Sequence, residues 1–387
     1  MLPGFERVSL EAHHRRFRRE AARTAPSYGV TFGVGEPEIS EGACRTSSFQ
    51  LDAEGDGWRT TSDIVFYDLA CLNGMYERKS MPVRLLRGVG AAFDLMIRGA
   101  GLRYLRDGWR FFLFFLFPFL LLLITLGLAA LAVLPAFYNG AWNLLWSVPL
   151  ALAGAAALCL LAKPMHVPLM MDLWALTVDV PRRRHPEVHR MLEALSDDIA
   201  RRIAATTADE VIVVGHSFGA VPAIMALADP RCTAIANEKP LGLLAAGSYL
   251  LAVAHHPAAA KLREAAGIVM QSPIAWLDAQ SHTDPINFFR TNPADALGMK
   301  DARRPKVVEV RFKQQLEPES YRQIRGDFFR THRQFVYGVE KRSHYALFAI
   351  IGGPEPFSEI VARGGLSADW TRFSPQAKDG DRHAAAS

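Results

Sequence analysis

The run Val211-Ile212-Val213-Val214-Gly215-His216-Ser217-Phe218-Gly219 decides how the 387-residue chain is read. Four β-branched aliphatics in a row suit a strand buried on both faces, and the apolar stretch 220–227 beyond them reads as a helix. Ser217 therefore stands where a strand turns sharply into a helix. A residue at the tip of such a turn takes a sparsely populated backbone conformation, and glycines two before and two after it let strand and helix pass without side-chain collision. The spacing predicts a presented hydroxyl. It also predicts that the Phe218 N–H lies at a helix start, where unpaired donors favour developing negative charge. A serine nucleophile needs that combination.

Outward from this strand the pattern alternates. Segments at 28–34, 46–51 and 64–69 read as short strands, preceded by an Arg- and Ala-rich surface helix over 9–25. Downstream, 173–180 is expected as a strand and 187–205 as a long amphipathic helix. Residues 241–246, 274–278 and 307–312 are expected as further strands with helices between. Such alternation means an α/β fold with a mostly parallel sheet flanked by helices.

Residues 111–162 contain no Asp, Glu, Lys or Arg, and turn chemistry near Pro135-Ala136-Phe137-Tyr138-Asn139-Gly140 divides them into two halves of about twenty residues, each enough to cross a bilayer. Pro118 and Pro149 fall near the ends, and Phe137, Tyr138, Trp142 and Trp146 supply interfacial aromatics. A two-helix transmembrane hairpin is expected. It divides the chain into 1–109 and 164–375, two parts of one domain, with the hairpin at 110–163 and a disordered tail at 376–387. Arg84, Arg87, Arg98, Arg103, Arg106 and Arg110 precede the hairpin and Lys163 and Arg182-Arg183-Arg184 follow it, so both soluble parts are expected on the cytoplasmic side.

Composition narrows the partners. A net charge of +5, much of it beside the hairpin, gives no stripe for nucleic acid. Cys44, Cys71, Cys159 and Cys232 lack metal or disulfide spacing, and the N-terminus has no cleavable-signal pattern. Neither a metal nor an organic cofactor is expected, and the adjacent pair His255-His256 has no nearby ligand in sequence.

A serine nucleophile needs a base and a group to orient that base, in the chain order Ser, acid, His. Asp278 and Asp284 both follow the strand at 274–278. Asp284 is preferred because Asp278 ends the strand and could simply cap its turn. Beyond the strand at 307–312 the candidates are His332 and His344. His332 follows a long loop and is assigned as base, while His344 begins a helix and reads as structural. His216, at the variable elbow position, is expected to line the site.

The elbow, with Asp284 and His332 in that order, resembles the α/β-hydrolase superfamily over most of the chain outside the hairpin. More narrowly, Pro3-Gly4-Phe5, Trp276-Leu277-Asp278 with Asp284-Pro285, and His332-Arg333-Gln334-Phe335 with Gly353-Pro354 resemble little-characterised bacterial membrane-anchored serine hydrolase-like proteins. That resemblance implies an oxyanion hole completed by Phe5 N–H beside Phe218 N–H and a place in the bacterial inner membrane. Because the spans would hold the domain against the inner leaflet, a small ester, lipid-derived or otherwise apolar, is the expected substrate. The resemblance also implies a strand before Pro3-Gly4. Only Met1 and Leu2 are present there, so the true start is expected upstream. The alternatives are a catalytically deficient hydrolase-like binding module and an acyltransferase using the same triad.

Overall fold

The computed structural model describes residues 1–42, 44–139, 146, 148–150, 152–154, 166–299 and 302–370. The chain begins with α1 (Leu10–Tyr28), capped by the Ser9 side chain and closed by Gly29 in the left-handed conformation. Strands β1 (Thr31–Val34), β2 (Glu38–Glu41), β3 (Arg45–Gly55) and β4 (Trp58–Tyr67) then form an antiparallel sheet centred on β3. Helices α2 (Ala70–Glu77), α3 (Met81–Ile97), α4 (Ala100–Asp107), α5 (Trp109–Asn139), α6 (Val167–Arg182) and α7 (Pro186–Ala205) follow. The second sheet is parallel, in the order β5 (Val211–His216), β6 (Leu241–Ala246), β7 (Ala275–Gln280) and β8 (Lys306–Glu309). Its helices include α8 (Ala220–Leu227), α9 (Leu250–Ala254), α10 (Ala260–Gln271), α11 (Phe328–Arg333) and α12 (Leu347–Gly352).

The expected α/β layering is present. All six residues of β6 are buried, as a central strand covered by helices on both faces demands. The expected parallel sheet is formed by β5 to β8, while β1 to β4 make a separate sheet that pairs only antiparallel. The two sheets meet at the N-terminus. Leu2 N–H donates to Val214 O at 2.8 Å and Leu2 O accepts from His216 N–H at 3.0 Å, a parallel bridge to β5, while Met1 O accepts from Tyr67 N–H of β4 at 3.1 Å. Met1 and Leu2 thus occupy the position of the strand expected before Pro3-Gly4.

Two expectations fail. Residues 173–180 are not a strand but lie within α6, in which every residue from Val167 to Val180 except Leu169 is buried. A helix surrounded by protein has no polar stripe, so its sequence reads as the same unbroken apolar run that a buried strand gives. No turn begins at Pro135 either, because α5 continues through Asn139. Residues Trp109–Leu128 are long and apolar enough to cross a membrane. The second half of the hairpin and the tail at 376–387 lie essentially outside the described residues.

The apolar core passes the boundary at 110 without a break. Phe111, Phe114 and Phe115 of α5 are buried against Trp174 of α6, with ring centroids 5.1 to 6.1 Å apart. Helix α3 lies against α6 with its charges turned inward. Arg84 Nη2 reaches Asp172 at 2.5 Å, Arg87 Nη2 reaches Asp179 at 2.7 Å, and Asp94 receives Arg182 Nη2 and His256 Nε2. Three of the arginines counted as a basic flank, Arg84, Arg87 and Arg182, therefore serve internal ion pairs.

Candidate active site

The strand-to-helix turn predicted at Ser217 is present. Strand β5 ends at His216, Ser217–Gly219 form one turn of 3-10 helix and α8 follows, with Ser217 at φ 54°. A side chain on Gly215 would sit 2.6 Å from Ala220 Cα, and one on Gly219 would sit 2.2 Å from Leu2 O. Only glycine lets the strand, the helix and the N-terminal segment cross here. By its place in the first turn, Phe218 N–H has no intrahelical acceptor.

Asp284 and His332, separated by 48 residues, meet with Nδ1 of the imidazole 2.8 Å from Oδ2 of the carboxylate. Asp284 is fully buried and held by Ile286 N–H on Oδ1 at 2.9 Å and Asn287 Nδ2 on Oδ2 at 3.0 Å. With Nδ1–H donated to Asp284, Nε2 carries the lone pair. This nitrogen is buried and has no hydrogen-bond partner among the described residues. His332 sits at the C-terminal end of α11, whose start is capped by Asp327.

His332 and Ser217 share neighbours. The imidazole of His216, next in chain to the serine, lies tilted against that of His332 with centroids 4.9 Å apart, and its Nε2 lies 3.2 Å from His332 O. Burial pushes the His216 imidazole down to about 3, so it is neutral at pH 7. Pro3-Gly4-Phe5 reaches the same place, since a Cβ on Gly4 would lie 2.9 Å from Ser217 Cβ and 3.4 Å from its Oγ. Phe5 N–H has no hydrogen-bond partner among the described residues, whereas Glu6 N–H closes a tight turn onto Gly4 O at 2.9 Å. The Glu6 carboxylate is clamped by Arg16 of α1 at 2.8 and 3.1 Å. Burial opposes its ionisation, but the Arg16 bonds and charge outweigh burial and hold it at about 2.

The site is closed. Ser217 is 6% and His332 4% exposed, no hydrogen bond joins Ser217 Oγ to His332 Nε2, and the cavity beside His216, Leu2 and Pro3 holds about 20 Å³. Catalytic hydrogen bonds are often long before substrate binds. A larger cavity, about 670 Å³, opens elsewhere between Arg103 and Arg106 of α4, His255, Arg263 and Arg290, and is lined by none of Ser217, Asp284 and His332.

Asp278 forms no hydrogen bond with His332. It lies buried on β7, where its Oδ1 accepts from Gln280 Nε2 at 2.9 Å and its Oδ2 has no partner among the described residues. Burial pushes its carboxyl up to about 7, only partly offset by Gln280. His344 bonds Glu309 O at 2.9 Å. His255 and His256, read as lacking nearby ligands, each meet a carboxylate, Asp107 at 2.9 Å and Asp94 at 3.0 Å, contributed by the helices before the span. Sequence reading passed over Asn287, which fixes Asp284 and whose only signal was an Asx-type spacing. It also passed over Gly247, at φ 56°, where any Cβ would meet Phe335 at 2.7 Å and His332 Cε1 at 3.0 Å. Comparisons with protein-family profiles, curated proteins and solved structures give no match to this chain.

Proposed function

We propose that the chain is a membrane-anchored serine hydrolase of α/β-hydrolase type that cleaves carboxylic esters through Ser217, His332 and Asp284. The observation that carries this reading is the buried Asp284–His332 pair ending in an unpartnered Nε2, beside a serine held at positive φ between a strand and a helix. His189 Nε2 and His216 Nδ1 are also buried without partners, but among the described residues only His332 joins such a nitrogen to a buried carboxylate on the other side of its ring.

In the proposed reaction His332 Nε2 takes the Ser217 proton as Oγ attacks the ester carbonyl. Phe218 N–H and Phe5 N–H hold the resulting oxyanion, and His332 returns the proton to the departing alcohol. Water, deprotonated by the same nitrogen, then releases the acid from the acyl-enzyme. Asp284 keeps the imidazole in the Nδ1–H tautomer and stabilises the imidazolium. The apolar span at the start of α5 supports the membrane anchor and makes an apolar ester the expected substrate.

Labelling of membranes holding the full chain with a fluorophosphonate tests the reading. Label is expected on the parent protein, to be lost in Ser217→Ala and strongly slowed in His332→Ala. A folded parent that takes no label would favour the deficient binding module. Product analysis with an added alcohol acceptor separates hydrolysis from acyl transfer.

A further inference from the structure

The exposed large apolar side chains are not scattered. Among the described residues all but two of them, Met225 and Ile268, lie between residues 83 and 152. In α3 the arrangement is inside out. Every exposed position from 82 to 97 is apolar or glycine, with Leu86 72%, Phe93 67% and Ile97 67% exposed, while Arg84, Arg87 and Asp94 face the protein. A surface helix in water carries the opposite pattern.

We propose that α3 and α4 lie in the plane of the bilayer interface with this apolar face sunk among lipid acyl chains, so that the domain is partly embedded and not merely tethered. The proposal rests on the membrane reading of α5 and extends it. Three observations select lipid as the occupant. The apolar face is continuous with the span, running from Leu86, Phe93 and Ile97 through Leu102 and Leu105 of α4 to Trp109 and Leu113 of α5. Where it joins the span, exposed Arg98, Arg103 and Arg106 stand at the level where lipid phosphates would lie, and exposed Arg78 and Lys79 stand at its other end. Helix α3 is also too short to cross: its 17 residues reach about 26 Å against a hydrocarbon core of about 30 Å, and its inward face is fixed by ion pairs. An apolar stripe of this size on a water-facing surface would drive aggregation.

The test uses the full chain reconstituted in vesicles of phosphatidylethanolamine and phosphatidylglycerol. Cys44, Cys71 and Cys159 are replaced by Ser and Cys232 by Ala, and an environment-sensitive fluorophore is placed singly through Leu86→Cys, Phe93→Cys, Ile97→Cys, Leu123→Cys in the span, and Met225→Cys on the opposite class of surface. Each labelled protein must melt cooperatively like its parent. The α3 labels are expected to lose quenching by aqueous iodide and to be quenched by nitroxides attached high on the acyl chain more than by deep ones. The Met225 label should stay open to iodide. Iodide quenching of the α3 labels, with Leu123 still quenched by lipid, overturns the in-plane placement and leaves the span intact. Iodide quenching at Leu123 as well removes both. Shielding of α3 from both quenchers, with cross-links between copies, makes a second copy the occupant and also overturns the proposal.

Discussion

Ser217 combines a backbone angle that side chains avoid with a hydroxyl that the proposed chemistry needs, and the two can be separated by substitution. At φ 54° a Cβ crowds the backbone, which costs on the order of 1 kcal/mol and which glycine escapes. Ser217→Gly and Ser217→Ala both remove the hydroxyl, so both should lose fluorophosphonate labelling. The glycine variant should nevertheless unfold at higher denaturant, by about 1 kcal/mol. An alanine variant as stable as the glycine variant would show that the elbow stores no strain. Asp278 makes a different point at the same scale. Its carboxyl is raised from 3.8 to about 7 by burial, so the folded state holds a proton that the unfolded chain has released between those values. Stability therefore falls as pH rises from about 4 to about 7, by a few kcal/mol at most, and stays low above that. Asp278→Asn, which cannot ionise, should gain stability relative to the parent at pH 8 and little or nothing at pH 4. A difference independent of pH would mean that Asp278 is not protonated in the fold. The pairing of His332 with Asp284 and not Asp278 was partly legible in the sequence, as a loop position against a strand end; that Asp278 lies inside β7 is seen only in the fold. The penalty on Asp278 was not legible, since burial without a partner is a property of the packing.

Among the elements, α11 links His332, the proposed base, to the apolar helix. Phe328, at its start, packs on Phe114 and Phe117 of α5 with centroids 5.8 and 5.6 Å apart, and Phe329 lies 4.9 Å from His166. One turn later the same helix carries His332. Truncating Phe328 removes the ring that docks α11, and small displacements of a positioned base are costly to rate. Phe328→Ala should slow fluorophosphonate labelling of Ser217 by about tenfold while costing about 1–2 kcal/mol of stability, as expected for a half-buried ring. An unchanged labelling rate would mean that α11 is held by other contacts. The sequence could not reveal this link, because Phe114 and Phe328 are brought together only by the fold. It did reveal the elements that repeat a simple period. Strands β5, β6 and β7 and helix α7 fall within a few residues of their expected positions, since strand burial and helical amphipathy both leave local patterns. Helix α6 escaped notice because complete burial erases the pattern, and α3 was silent because its charges face inward.

For the whole molecule, what matters is where the folded core stops and the exposed apolar part of α5 begins. Sequence places that division at 110, where charge ends, but packing places it about a turn or two further on. Phe111 and Phe115 are fully buried and Phe114 is 3% exposed, and together they touch Trp174, Tyr104, Tyr249, Phe288 and Phe328. By Leu120, Leu123 and Ile124 the side chains are 48 to 63% exposed. A helix whose first turns belong to one core and whose remainder faces outward cannot be cut at its first apolar residue without opening that core. Replacing 121–165 with a short Gly/Ser linker is sterically reasonable, because Phe117 and His166 both lie against the adjacent rings of Phe328 and Phe329. That variant should keep a cooperative thermal transition. Replacing 110–165 removes three buried phenylalanines, each worth about 3–5 kcal/mol when truncated, a sum comparable to the whole stability of an ordinary domain. It should melt without cooperativity or fail to fold. If both deletions melt alike, the start of α5 is an anchor only and the aromatic cluster around Trp174 does not hold the domain together.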